Sequence, residues 1–374
     1  MTTIAPTTRL RKSPFYDSVM ADGATSMMPY NQMLLPGGFG DPESEYRRLT
    51  EGVSMWDVAC ERQIQLRGPD AGRLAQILCP RDLSKNVVGQ GRYVALCNHR
   101  GTIINDPVLL KVADDCYWFS IADSDIGLWA SGIAAERGLD VEVSEPDVSP
   151  LAVQGPKAAD VAASIFGEWV RDLKYFAFAD ADLDGIPLKV ARSGWSKQGG
   201  FELYLMDGSR GADLWNIVKE AGRPWSIGPG CPNPSERIEN GLLSWGGDTD
   251  AHTNPFEVRL DRFVDLEVPD DVIGIHALRR IAIEGPTRHQ LGVVLDGDQP
   301  QPSHDQWFDI VVSGTKIGDM TNGTWSFKLE RNIGFGLVSV NCNVGDHVQV
   351  HKSGNVVQGR LSAIPFTTAQ VSGR

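Results

Sequence analysis

The chain has 374 residues, 41% of them apolar and 22% charged, and a formal net charge of −13. That length and composition belong to a folded globular protein of two or three domain-sized units and exclude a single small module. The acidic balance excludes a broad phosphate-backbone surface, although one local cation still suffices for one anionic ligand.

The six cysteines, at 60, 79, 97, 116, 231 and 342, form no CxxC pair and read as reduced, mostly buried thiols of a cytoplasmic protein. Residues 1–30 contain no apolar export core, and no apolar run approaches the ~20 residues that span a bilayer, so an unexported chain without a membrane anchor is expected. The same polar, proline-containing residues predict an extended arm or a segment that packs late.

From Glu43, "ESEYRRLTEGVSMWDV" reads as a helix and a turn, and "CERQIQLRGPD" as a strand carrying Ile64 and Leu66. "DAGRLAQILCP" places Leu74, Ile77 and Leu78 on one helical stripe that Pro80 stops. Residues 91–121 read as three antiparallel strands with turns at "NHRG" and "ADD". Residues 123–137 are predicted helical, "GLDVEVSEPD" extended, and "LAVQGPKAADVAASIFG" a strand, a Gly-Pro turn and a helix.

Residues 186–206 read as a hairpin and "GADLWNIVKEAG" as a helix closed by Gly222. "NPSERIENGLLSWGG" predicts a helix capped by Asn233, with Pro234 in its first turn, Glu236 at capping-box spacing and Gly246 as its stop. From about Arg288, short strands separated by Gly, Asp and Asn predict a small β-barrel or sandwich.

Three stretches carry chemistry. In "RSGWSKQGGFELYL", period-two alternation puts Phe201, Leu203 and Leu205 on one strand face and Glu202 with Tyr204 on the other. That second face is either solvated or holds a planar ligand with adjacent N–H donors, which a carboxylate accepts in parallel. In "GTIINDPVLLK", Asp106 precedes Pro107, so it sits in a turn or at a bulge that aims its carboxylate at a ligand amine. In "ERIENGLLSWG", Arg237 either holds a ligand carboxylate or forms an ion pair.

Other patterns carry less. "GQGRYV" has Val where a dinucleotide fold needs a third small residue, no GxSxG occurs, and neither Cys97 with His99 nor His347 with His351 makes a metal set. No metal is expected.

The three stretches together resemble the folate-dependent aminomethyltransferase family typified by the glycine-cleavage T-protein. "RSGWSKQGGFEL" is similar to its Arg-Thr-Gly-Tyr-Thr-Gly-Glu-x-Gly-Phe-Glu motif, "LAVQGPKA" to its Leu-Gln-Gly-Pro segment, and "ERIENGLLSWGGD" to its Leu-Arg-Leu-Glu-x-Gly helix. "GRYVALCNHRGTIINDPVLL" resembles its Tyr-containing strand with the Asp run, and "TNGTWSFKLERNIGFGLV" its C-terminal signature. The matches run in order over residues 43–366.

Eight segments look closer to the branch of the family that demethylates dimethylsulfoniopropionate: "LRKSPF", "YNQMLLP", "WDVACERQ", "LCPRDLSKNVVGQ", "NDPVLLKVADD", "EPDVSPLAVQGPK", "RSGWSKQGGFE" and "ERIENGLLS".

The resemblance implies an α+β, T-protein-like fold of mainly antiparallel sheets with helices. Its three subdomains are 1–50 with 145–285, 51–144, and a C-terminal β-barrel over 286–374. It implies an enzyme whose partners are small molecules: a methyl group moves from the sulfonium of dimethylsulfoniopropionate to N5 of tetrahydrofolate, in a cytoplasmic homodimer that binds neither nucleic acid nor membrane. Carried over by position, Asp106 is the catalytic residue beside folate N5. Glu202 holds the pterin edge, Tyr93 lines the folate channel, and Arg237 contacts the folate tail or stabilises the site. Ile121 lies in the folate loop, where Ser120, Ile121 and Ala122 replace Ser-Asn-Ala. Trp195, at a T-protein Tyr position, and Tyr204 face the sulfonium, and Lys197 is the cation offered to the substrate carboxylate. Lys197-Gln198 stands where T-proteins have Gly-Glu, which disfavours aminomethyl transfer. Two alternatives remain open: a related folate-dependent transferase using a quaternary amine or a glycine-cleavage carrier, and a folate-binding protein without turnover.

Overall fold

The computed structural model describes residues 7–297, 306–352 and 354–367. The chain divides into two units, one comprising Met1–Ala75, Lys85–Tyr93 and Pro107–Asn233, the other Gln76–Ser84, Val94–Asp106 and Pro234–Arg374.

Alternation builds the first unit. A six-stranded sheet runs in the order Phe178–Leu183, Ile186–Ala191, Gly200–Leu205, Ser149–Gln154, Ser54–Asp57, Gly228–Gly230. Every pairing is antiparallel except the last. One face carries Phe201, Leu203, Leu205, Leu151, Val153 and Val190 into a core completed by the helices Ala158–Phe166 and Gly211–Ala221. The opposite face carries Tyr204, Ala191 and Phe178 against Leu110, Cys116 and Trp118 of a five-stranded antiparallel sheet. That sheet runs Glu142–Ser144, Gln63–Arg67, Cys116–Ser120, Val108–Ala113, Gln90–Tyr93. The strand Gly200–Leu205 is therefore covered on both sides, and the solvated-face reading of Glu202 and Tyr204 does not apply: they are 5% and 0% exposed.

The amino-terminal arm is also more ordered than its composition predicts. Tyr16–Ala21 is a helix, and Phe15 and Val19 are fully buried in the main core. Phe15 meets Trp215 at 6.3 Å between ring centroids, and the Trp215 indole N–H donates to Asp22 at 3.0 Å. Burying a Phe stabilises by roughly 1.5–3 kcal/mol, which lets one aromatic residue anchor a polar segment whose average hydropathy shows nothing.

The segment 91–121 yields five strands rather than three. Gln90–Tyr93, Val108–Ala113 and Cys116–Ser120 join the five-stranded sheet, whereas Leu96–Cys97 and Ile103–Asn105 form their own hairpin in the second unit. Pro107 is the physical reason for the break after Asp106, since it removes a ladder donor.

The rest of the second unit is a barrel, closed in the order Arg288–Leu295, Arg331–Ser339, Thr315–Ser326, Phe308–Val312, His347–Lys352, Asn355–Ser362. Closure leaves no free sheet edge. Val293, Phe308, Ile310, Met320, Val338 and Val350 fill one of its apolar clusters.

The helix Pro234–Asn240 ends earlier than the predicted stop at Gly246. Gly241 at φ +75° takes the left-handed position, its N–H donates to Ile238 O, and the Leu242 N–H donates to Arg237 O at 2.8 Å. This is a Schellman closure, which only a residue tolerant of positive φ completes cheaply. Leu242 and Trp245, which a helix running to Gly246 would include, thus lie outside it. Gly241 is packed against Ile364 and Arg259, which accounts for its missing side chain without a ligand.

Candidate functional site

Glu202 is the centre of the first unit's polar site. Its cross-strand neighbours are Ala152 and Ala191, whose small side chains leave it room between the two sheets. The Ser193 hydroxyl donates to its Oε2 at 2.5 Å and the Tyr204 hydroxyl to the same oxygen at 3.0 Å, while no described residue donates to Oε1. Burial pushes the Glu202 carboxyl above the usual carboxylate range, and the two hydroxyls oppose that shift. A carboxylate with one oxygen fixed and the other unclaimed is prepared to accept N–H donors from a planar ligand.

Tyr204 supports this carboxylate from within the inter-sheet layer. Its own hydroxyl is pushed well up, first by burial and then by the charges of Glu202 and Glu61, with Ser120 hydrogen-bonded to it. Tyr204 is fully buried, and its hydroxyl holds Glu202 Oε2 at 3.0 Å, which makes it a support of that carboxylate. Ser193 and Ser120 carry no such signal in the sequence, and only the alternation of "RSGWSKQGGFELYL" points near the first.

The loop between Ile186–Ala191 and Gly200–Leu205 carries Trp195 and Lys197. Gln154 braces it: its amide N–H groups donate to Ser193 O at 3.1 Å and Phe201 O at 3.3 Å, and its Oε1 accepts from the Ser196 hydroxyl at 2.8 Å. Gly194 passes over that amide at φ +148°, where a Cβ would lie 2.0 Å from Gln154 Nε2. Trp195 is half-buried and Lys197 exposed.

Tyr93, half-buried, ends the strand Gln90–Tyr93. Beside that strand runs the aromatic pair Tyr175–Phe176, with ring centroids 4.3 Å apart. The Gly91 N–H donates to Phe176 O at 2.6 Å, and the Phe176 N–H donates to Arg192 O at 2.8 Å. The pair is thereby stitched between the strand of Tyr93 and the start of the Trp195 loop. Phe176 sits at φ +65°, a costly conformation for a bulky residue that marks functional segments more often than ordinary ones. The Tyr175 side chain is 61% exposed, yet desolvation around its hydroxyl and the negative charge of Glu202 push that hydroxyl up, which puts it within electrostatic reach of the carboxylate. No sequence signal announces this pair, because a positive φ at Phe is set by tertiary contacts.

Ile121 follows the strand Cys116–Ser120 and is 1% exposed. Its N–H donates to Arg62 O at 3.1 Å and its carbonyl accepts from Asn31 at 3.2 Å. The Asn31 amide also donates to Cys60 O and Ala122 O, so Asn31 ties the backbone of Ile121 and Ala122 to the loop of Cys60.

In the second unit, half-buried Asp106 directly follows Ile103–Asn105. That short strand is fixed from outside: the Ile103 N–H donates to Thr253 O at 2.8 Å and the Trp245 indole N–H donates to Ile103 O at 3.2 Å. Arg237 is engaged by buried Asp248 at 2.6 Å, donates to Leu242 O at 3.1 Å and lies over the Phe335 ring at 5.9 Å. Of the two sequence readings, ion pair or ligand carboxylate, the geometry supplies the ion pair. Among the described residues no cluster of His, Cys, Asp and Glu could hold a metal, and no helix is long and apolar enough to cross a membrane.

The GCVT N-terminal domain family matches residues 15–268, and the glycine cleavage T-protein C-terminal barrel domain matches residues 288–367. The chain belongs to the glycine cleavage T-protein family. Within it, the chain is 44% identical over 338 residues to the dimethylsulfoniopropionate demethylase DmdA of Ruegeria pomeroyi, covering 90% of this chain and 92% of that one. It is 29% identical over 371 residues to an aminomethyltransferase of Symbiobacterium thermophilum, covering 96% and 97%. The T-protein fold is matched by the crystal structure of the glycine cleavage system aminomethyltransferase T of Bartonella henselae, with a TM-score of 0.82 at 22% identity over 96% of this chain and 98% of that one. The α+β T-protein architecture with its C-terminal barrel is thus established from both directions.

Proposed function

We propose that this protein is a tetrahydrofolate-dependent demethylase that transfers a methyl group from the sulfonium of dimethylsulfoniopropionate to N5 of tetrahydrofolate, giving 3-(methylthio)propanoate and 5-methyltetrahydrofolate. The observation that carries the reading is Glu202 with Oε2 held by Ser193 and Tyr204 and Oε1 unclaimed, in a chain 44% identical to a dimethylsulfoniopropionate demethylase. That arrangement fits the adjacent N–H donors of a pterin edge.

The folate supplies a nucleophilic N5 when bound. The sulfonium is activated already: as its S–CH3 bond breaks, the electron pair stays on sulfur and leaves a neutral thioether, so the protein need contribute no nucleophile of its own. Glu202 orients, Tyr93 lines the folate channel, and Asp106 stabilises the positive charge that develops and takes up the proton released from N5. Trp195 offers an aromatic face that desolvates the sulfonium while attracting it, at about 0.5–2 kcal/mol per contact. Lys197 is the cation for the substrate carboxylate. The six buried cysteines, none of them in a disulfide, support a reducing, cytoplasmic setting, and a homodimer is part of the same reading, to be read by sedimentation.

The test is incubation of the purified protein with tetrahydrofolate and a panel of donors: dimethylsulfoniopropionate, a quaternary amine and an aminomethyl-lipoyl carrier. Formation of 5-methyltetrahydrofolate from the sulfonium alone supports the proposal. Turnover only with another donor, or binding of folate without turnover, overturns it.

A further inference from the structure

Residues from four of the eight segments that resemble the dimethylsulfoniopropionate-demethylating branch converge on one cavity of about 450 Å³ in the first unit. "LRKSPF" contributes Arg11 and Lys12, "YNQMLLP" Met33, "WDVACERQ" Arg62, and "EPDVSPLAVQGPK" Glu145 and Val148. Neither Glu202, Tyr93 nor Trp195 lines it. We infer that this cavity is a second binding site, for a short-chain organic carboxylate, distinct from the Glu202 site. The inference goes beyond the proposed function and does not depend on it.

Charge and shape argue for that ligand class. Glu145 bridges two guanidiniums, accepting from Arg11 at 2.9 Å and from Arg62 at 2.5 and 3.0 Å, so the two are already spaced for a carboxylate. Arg62 spends its Nε and Nη2 on Glu145 and keeps Nη1, and Arg11 spends only Nη1. The Lys12 ammonium lies 4.3 Å from the Tyr16 ring and has no carboxylate partner among the described residues. The remaining acid of the lining, Asp147, accepts the Gly208 N–H at 2.9 Å, so Arg11, Lys12 and Arg62 face only Glu145 and Asp147. The wall therefore carries a positive excess in a chain of net charge −13. Met33 and Val148, both buried, supply an apolar side for an alkyl body, which inorganic phosphate lacks. The volume falls in the usual range for small-molecule sites, ~300–1,000 Å³.

The experiment is saturation-transfer-difference NMR with propanoate on the full chain, competed with inorganic phosphate. Propanoate signals are expected in the wild type and in Trp195→Ala, lost in Arg62→Gln, weakened several-fold in Lys12→Met, and strengthened in Glu145→Gln, which removes the internal competitor. Lys12 is exposed, so its variant keeps the test sound should Arg62→Gln melt early. Phosphate at equal concentration should leave the signals intact. No propanoate signal, signals lost in Trp195→Ala but kept in Arg62→Gln, or full displacement by phosphate would overturn the inference.

Discussion

The Tyr204 hydroxyl donates to the same Glu202 oxygen that Ser193 holds, so the two hydroxyls together fix where that carboxylate points and oppose the effect of burial on its ionisation. Burial raises the Glu202 pKa and the hydroxyls lower it. The ionised form accepts a pterin edge, so folate affinity falls as pH drops through that pKa. Tyr204→Phe removes one opposing donor, moves the loss to higher pH, and weakens tetrahydrofolate binding about ten-fold at neutral pH, the worth of one hydrogen bond to a charged group. Titrations at several pH values check this, and an unchanged pH profile would remove Tyr204 from control of Glu202. Glu202→Ala should chiefly raise the folate dissociation constant, and an unchanged titration would take Glu202 out of the pterin site.

Asp106 makes the opposite prediction about which constant moves. A group that stabilises charge and takes a proton only as the methyl transfers contributes to the transition state more than to binding. Asp106→Asn should lower turnover about a hundred-fold or more, in the range of lost acid–base catalysis, with the folate dissociation constant nearly unchanged. Equal losses in both would sink the transition-state role.

How far the sequence reveals this site depends on the range of the forces involved. Glu202 is legible because period-two alternation is local, and the barrel because short strands punctuated by Gly and Asn are local too. What covers the Glu202 face is not local: that face meets Leu110 and Trp118 of another sheet, and nothing in "GFELYL" distinguishes a partner sheet from water. Phe176 at positive φ, the Gln154 brace and the Arg237–Asp248 pair all depend on contacts that the fold creates. The helix stop at Gly241 rather than Gly246 is decided by which glycine completes the backbone closure, and both glycines look alike in the sequence.

Gly194 tests the brace. Alanine there must take φ +148° with its Cβ inside the Gln154 amide, which should destabilise by about 2–4 kcal/mol in urea unfolding and loosen the Trp195 loop. Because the obstruction is Gln154 itself, the double variant Gly194→Ala/Gln154→Ala should cost less than the sum of the single variants. Additivity within about 0.5 kcal/mol would show that the two positions do not meet.

Arg237 and Asp248 are both buried, their side chains 6% and 0% exposed. Arg237→Met strands a carboxylate without its cation and should cost about 3–5 kcal/mol. Asp248→Asn in the same chain removes that charge while keeping an acceptor for the Ser244 N–H, so the double variant should regain much of the stability. If Arg237 serves the ion pair, folate affinity returns with it. A stable double variant that still binds folate poorly would restore Arg237 to the folate tail.

Asp57 offers the clearest pH signature. It is buried, accepts from the Ser13 hydroxyl and from the Ala59 N–H, and desolvation raises its pKa from 3.8 to about 6. Ser13 in turn accepts from the Phe15 N–H at 3.1 Å, which ties this carboxyl to the anchor of the amino-terminal arm. A folded-state pKa above the unfolded one means that the folded chain favours the protonated acid. The Asp57 contribution to stability is therefore full below about pH 4 and declines as pH rises to about 6. At higher pH the cost levels off near ~3 kcal/mol, since a tenfold difference in acidity between the folded and unfolded chains is worth about 1.36 kcal/mol. Asp57→Asn has no proton to lose, so its stability relative to the wild type should climb between about pH 4 and 6 and then hold. Urea unfolding of the two proteins across that window reads the difference directly, and a difference that stays flat with pH would mean that Asp57 ionises no less easily in the folded chain than in the unfolded one.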